Sequence, residues 1–325
     1  MKVFAPDYYT SFQCLQGKCK HTCCAGWEID IDNESLQRYR QLTGLFARRV
    51  KDNIIFSEDG SASFRLSADE RCPFLNGEGL CEMILTLGED ALCQICTDHP
   101  RFRNEFSDRI EIGLGLCCEA AGDLILNWKT SVCLQELSDD ERKEEVPEDE
   151  EAFFKLRKML FKLIQDRGRT IKTRLLDLLQ LVQVNVRELS GIQWVSFLLD
   201  LERLDDAWTQ RLYDLKQSCR QKEDHLCSDT WEIAFEQLLV YLLYRHLSAS
   251  VFDGDWQTYV VYCVFVMVLV RQLCVSQLEK MGSVSLKDLV EIARLYSSEI
   301  EYSDQNMDAI LDRIRTICIN GSNAR

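Results

Sequence analysis

The chain is short of several things, and each shortage removes a class of function. Only four prolines occur in 325 residues, so helices meet few breakers. Only four histidines occur, which argues against a histidine-rich metal site. No apolar run reaches the roughly 20 residues that cross a bilayer. The longest, Tyr259 to Val270, stops at Arg271 and reads as a buried helix. The first residues, MKVFAPDYYTSFQC, lack the charged start, long apolar stretch and cleavage site of a signal peptide. Basic charge is short too: 38 Lys and Arg face 53 Asp and Glu, a net charge of −15. That argues against general binding to nucleic acid or anionic membranes. There is no Ser/His/Asp order, P-loop or HExxH motif.

Cysteine is what the chain has. Sixteen occur, and ten lie in the first 118 residues. They come in groups: Cys14, Cys19, Cys23 and Cys24; Cys72 and Cys81; Cys93 and Cys96; Cys117 and Cys118. Without a secretory signal the expected location is the cytoplasm, where thiols stay reduced and bind metal rather than form disulfides. Cys93 and Cys96 make a C-x-x-C pair that can grip one metal from a single turn. The Asn-Gly-Glu-Gly turn between Cys72 and Cys81 is expected to bring those two together. A closed zinc site or an iron–sulfur cluster takes four thiolates. Ten therefore leave two sites, or one site and spare cysteines, both open. Adjacent pairs rarely give both sulfurs to one metal. The later Cys219, Cys227, Cys263, Cys274 and Cys318 are scattered and read as small buried hydrophobes.

The pattern predicts a mainly α protein. Its parts are a cysteine-rich N-terminal domain with a small β-hairpin over residues 1–134, an acidic linker over 135–150, and an all-helical domain over 151–325. A helix is expected over Glu34 to Val50, capped by Asp32-Asn33. A hairpin is expected over Asn53 to Leu66, a strand over Arg109 to Leu116 and a helix over Glu119 to Trp128. Beyond Glu151 the periodicity is helical, including Thr230–Leu247, Asp255–Lys280, Leu286–Glu299 and Asn306–Ile319.

The segments CLQGKCKHTCCAGW, RCPFLNGEGLCEMILTLGEDALCQICTDHPRF and GLCCEAAG stand in the order found in one family. From Pro6 to Trp128 the chain resembles the bacterial flagellin lysine-N-methylases, and its C-P-F-L segment resembles a broader group of zinc- or iron-chelating proteins. The resemblance implies methyl transfer from S-adenosylmethionine to flagellin lysines, with a [4Fe–4S] cluster whose candidate ligands are the ten cysteines. It implies Trp27 and Arg101 beside the cofactor. The glycine-rich nucleotide fold of ordinary methyltransferases is missing: Gly113-Leu114-Gly115 lacks its third glycine and its βαβ setting. The compact C-x3-C-x2-C signature of radical enzymes is missing as well. An open iron is therefore the expected place for the cofactor. Two other classes stay open: a non-catalytic zinc or iron chelator that binds a partner, and a redox-sensing cluster protein.

Around the cysteines other residues could act. His21 and His99 are candidate ligands or loop-fixing groups. Arg101 and Arg103 could hold a carboxylate or pair with Asp98 and Glu105. Tyr8, Tyr9, Phe12 and Trp27 could line a slot for a lysine stem or shield a cluster. Methylation needs a neutral amine, so a base is expected; Asp7, Glu28, Asp30 and Asp98 are candidates that the sequence does not separate.

Overall fold

The computed structural model describes residues 1–138, 145–218, 226 and 228–323, with side chains through 318. Strand β1 (Lys2–Pro6) opens the chain. Next come β2 (Asp30–Ile31), α1 (Asn33–Gln41), α2 (Leu45–Asp52), β3 (Ile54–Phe56), β4 (Ala62–Phe64), α3 (Glu82–Leu87) and α4 (Gln94–Asp98). Then follow β5 (Arg101–Glu105), β6 (Arg109–Leu114), α5 (Glu119–Leu126), β7 (Leu134–Glu136) and α6 (Glu148–Ile164). The remaining helices are α7 (Ile171–Val182), α8 (Ile192–Asp200), α9 (Asp206–Gln217), α10 (Asp229–His246), α11 (Ser250–Asp253), α12 (Trp256–Met281), α13 (Leu286–Tyr296) and α14 (Asp304–Asn323).

These elements form two compact units, Gln13–Arg101 on the one hand and Met1–Phe12 with Phe102–Arg325 on the other. The sequence reading put the division at the acidic stretch instead. The difference has a simple cause: β1 pairs in parallel with β6 and antiparallel with β7, and α5 packs on α10 and α13. Residues 102–134 are thereby built into the helical unit. Of the expected linker, β7 reaches Glu136 and α6 begins at Glu148, while 139–144 lie outside the described residues.

In Gln13–Arg101 the expected hairpin is present. Ile54 faces Phe64 and Phe56 faces Ala62, and alternation sends Ala62 and Phe64 inward. The expected single helix from Glu34 to Val50 is two helices. Gly44 breaks it with a φ of 97°, a left-handed conformation that glycine adopts without strain. Asp32 caps α1 as expected, accepting from the Ser35 N–H at 2.9 Å.

In the helical unit α12 is apolar on every face, so neighbours must cover it all round. It packs against α7, α9, α10, α13 and α14. It is the one helix among the described residues long and apolar enough to cross a membrane. Yet 83% of its 18-residue window of mean hydropathy 2.0 is buried inside the fold. Asp255 starts it by accepting from Thr258 N–H, and Gly282 ends it at a φ of 76°. The sheet meets the helices through Glu111 on β6, whose fully buried carboxylate holds Arg157 of α6 at 2.6 Å.

Candidate metal centre

The Cys72 and Cys24 segments lie side by side. The Cys72 N–H donates to the Cys24 carbonyl at 2.8 Å, and Ala25 bridges Arg71. The turn after Cys72 is tied by Asn76, whose Oδ1 accepts from the Glu78 and Leu80 N–H groups, both at 2.9 Å. That places Leu75 opposite Cys81. Arg49 braces the C-P-F segment, donating to the Pro73 carbonyl at 2.5 Å and pairing with Glu82 at 2.6 Å.

Helix α4 presents the C-x-x-C pair, with the two sulfurs 3.5 Å apart. Two thiolates on one tetrahedral zinc would stand about 3.8 Å apart. Asp32 anchors this helix as well: its other oxygen accepts from the Gln94 N–H at 2.8 Å. Burial pushes the Asp32 carboxyl up, but these N–H donors win and hold it at about 2.

Five thiols lie near one another: Cys72 feels the charges of Cys24, Cys81 and Cys93, Cys81 those of Cys24 and Cys93, and Cys96 those of Cys93, Cys24 and Cys72. A hydrogen bond from Cys23 draws the Cys24 thiol down to about 7, against its burial. The bond between Cys93 and Cys96 likewise lowers Cys93 and raises Cys96. Burial pushes Cys72 up to about 12 and also raises Cys81. Soft donors gathered in this number, with Cys24 and Cys93 drawn toward the thiolate, fit a thiolate-bound metal. Among the described residues no three Cys, His, Asp or Glu side chains close on one point as a finished site.

The other expected site residues fall in different places. Cys14 is exposed, and its sulfur accepts from the Gln16 N–H at 3.3 Å. Cys19 is half-buried and Cys23 exposed. Trp27 donates its indole N–H to the Cys23 carbonyl at 2.7 Å and lies 5.3 Å from the His99 ring. His99, half-buried and beside Arg101, is held down at about 4 by its partial burial and so is neutral near pH 7. Arg101 itself donates to the Thr97 carbonyl at the end of α4. Tyr8 belongs to the helical unit, where it is buried with its ring 6.0 Å from that of Trp128. Gly113 is tight because the Phe102 ring lies over it, 2.2 Å from where a Cβ would stand. Close packing accounts for this glycine.

Cys117 and Cys118 also belong to the helical unit. Cys118 caps α5. Burial pushes Cys117 up to about 12, and its thiol is hydrogen-bonded to Tyr302. Beside it lies a buried polar group that the sequence reading missed. Glu301 accepts from Tyr241 at 2.8 Å and from His246 at 2.6 Å, with Arg245 at 3.8 Å. Burial raises the Glu301 carboxyl, yet Arg245 and His246 prevail and hold it at about 2. A π-turn over Ser297–Glu301 places this carboxylate, a distortion frequent at functional sites. Its signal was a Glu-Tyr pair between the helices expected over Leu286–Glu299 and Asn306–Ile319, which a single sequence does not distinguish from surface charge.

The family model of the FliB lysine N-methylase C-terminal domain matches residues 134–321. The chain belongs to the FliB lysine N-methylase family. The Salmonella muenchen protein named flagellar biosynthetic protein FliU is 30% identical over 139 residues, 41% of this chain and 82% of that protein. Proteins named lysine-N-methylase from Salmonella typhimurium and Salmonella choleraesuis are 30% identical over 139 residues, again 41% of this chain. The match spans 35% of their length. No solved structure matches the chain. The FliB match falls on helices where the sequence showed no sharp motif, and it contains Tyr241, Arg245, His246 and Glu301. The cysteine motifs that first suggested the family stand before it.

Proposed function

We propose that this chain is a protein lysine N-methyltransferase that acts on flagellin in the cytoplasm, with S-adenosylmethionine as donor and a cysteine-bound [4Fe–4S] cluster. The gathering of five thiols in one unit of a FliB-family chain carries this reading. Cys24, Cys72, Cys81, Cys93 and Cys96 are the residues that would hold the metal, zinc being the alternative. A bound cluster would supply a Lewis-acidic iron, and S-adenosylmethionine an electrophilic methyl group. The chain's own part is positioning. Asp32 fixes α4 and its two thiols, Arg49 fixes the Cys72 segment, and neutral His99 packs on Trp27. The net charge of −15 suits a cationic lysine-bearing substrate.

The test is anaerobic purification with iron, sulfide and zinc analysis, then incubation with S-adenosylmethionine and flagellin, read by intact mass. Methyl additions on lysine are expected, lost in Cys93→Ala and kept in Cys263→Ala. Full activity with zinc and no iron would sink the cluster. No mass gain with an iron-loaded protein would sink the methylation.

A further inference from the structure

Cys117 and Cys118 sit at the turn between β6 and α5. The Cys118 N–H closes that turn on the Gly115 carbonyl at 3.3 Å, and α5 starts directly after it. Apolar packing holds the turn in part. Leu114 and Leu116 are buried in the helical core, and Cys118 packs against the same core.

A directional set of hydrogen bonds does the rest, with Arg245 of α10 at its centre. Its guanidinium lies 5.1 Å from the centre of the Phe102 ring and 4.8 Å from that of Tyr302, so both rings attract it. It donates to the Tyr241 hydroxyl at 3.0 Å and is hydrogen-bonded to the Tyr302 hydroxyl. A hydroxyl oxygen that accepts from arginine keeps its own proton to pass on. Tyr241 gives its proton to Glu301 at 2.8 Å, and its oxygen also accepts from the Leu116 N–H at 3.2 Å. Tyr302 is hydrogen-bonded to the Cys117 thiol. One arginine thus holds two consecutive residues of the turn, each through a tyrosine: Leu116 by its backbone and Cys117 by its side chain.

The Cys117 sulfur is therefore engaged inside the helical unit. The five thiols gathered in Gln13–Arg101 already exceed the four that a closed site takes. We propose that Cys117 is a positioning residue and not a metal ligand: through Tyr302 and Arg245 it fixes the Gly115–Cys118 turn, and with it the start of α5. Its exclusion from the ligands rests on the metal reading above; its positioning role does not.

The test compares Cys117→Ala, Cys117→Ser and Tyr302→Phe in the full chain by hydrogen exchange. Cys117→Ala and Tyr302→Phe should speed exchange at the Cys118 amide about tenfold, the scale of one lost hydrogen bond. Cys117→Ser should stay near the wild-type rate, because its hydroxyl accepts in place of the sulfur. A sulfur that only packed would give the opposite order, since a buried hydroxyl without a partner is worse than a methyl group. Protection in α12 should be the same in all three. Tyr302 is 43% exposed, so Tyr302→Phe keeps the test alive if a Cys117 variant does not fold. Metal per chain, measured after anaerobic loading with iron and sulfide or with zinc, should be unchanged in Cys117→Ala and lowered in Cys72→Ala. Metal loss in Cys117→Ala overturns the proposal. So does faster exchange in Cys117→Ser than in Cys117→Ala, or wild-type exchange in Tyr302→Phe. If the wild-type chain takes up no metal, the metal reading fails, and the order of exchange rates alone decides the role of Cys117.

Discussion

In α12 the residues Val260 to Val266 are all fully buried, seven in a row. In Gln13–Arg101 the core is eleven residues, no two adjacent in sequence, and two of them are Cys72 and Cys93. The helical unit can rest on apolar burial, because continuous helices present wide apolar faces to one another. The smaller unit has short strands and helices of five to nine residues, and its core is thin. Units of this kind are ordinarily completed by a cross-link or a metal. The difference teaches that the thiols of Gln13–Arg101 stand where they would serve folding as well as chemistry.

The strongest way to break that comparison is to deny the thiols the metal we propose for them. Structural thiolate sites contribute on the order of 10 kcal/mol to folding. Chelation, or the double substitution Cys93→Ala with Cys96→Ala, should abolish hydrogen-exchange protection at the Cys72 and Gln94 amides. Protection in α10 and α12 should persist. Equal protection of both units after metal removal would mean that the smaller unit stands on its eleven-residue core alone.

The sequence showed the two halves unequally, and for physical reasons. Period-3.6 patterns revealed α10, α12 and α14, because long helices repeat their burial several times. Alternation and an Asp-Gly turn revealed β3 and β4. Strands β1 and β7 were hidden: their partners lie more than a hundred residues away, and neither alternates cleanly over three to five residues. The cysteine groups were legible by spacing. Which of them meet was not, since Cys117 joins Tyr302 and Arg245 through pairings that only the fold creates. Glu301 was invisible for the same reason, as its partners come from α10.

Acid offers a second, smaller contrast. Glu301 titrates at about 2 in the fold against 4.5 ordinarily. Its contribution is present above pH 4.5 and is lost as pH falls toward 2. Burial lowers His246 from 6.5, so its neutral state also favours the fold, and that contribution declines as pH drops below 6.5. Together they make the helical unit lose stability on acidification, with about 3 kcal/mol from Glu301. The smaller unit should lose stability in acid by another route, as its thiolates protonate and release metal. Urea midpoints followed at α10 amides should therefore fall between pH 6.5 and 2, and Glu301→Gln should flatten the lower part of that fall. A wild-type profile at α10 that stays level down to pH 2 would contradict the charge state assigned to Glu301.

The finest test uses one cysteine from the helical core. Cys263 is fully buried in α12, and burial raises its thiol well above the usual value. Nothing in that setting favours a thiolate, so the sulfur acts as a small apolar group. Cys263→Ala removes one heavy atom from a packed site and should cost about 1 kcal/mol, read from urea unfolding of the helical unit. Metal content should not change, because no thiolate is lost from the cluster of five. Cys72 is also buried, but it sits among Cys24, Cys81 and Cys93, and Cys72→Ala should lower metal content as well as stability. If Cys263→Ala released metal, or Cys72→Ala did not, burial and neighbouring charge would be the wrong guides to which cysteines bind and which only pack.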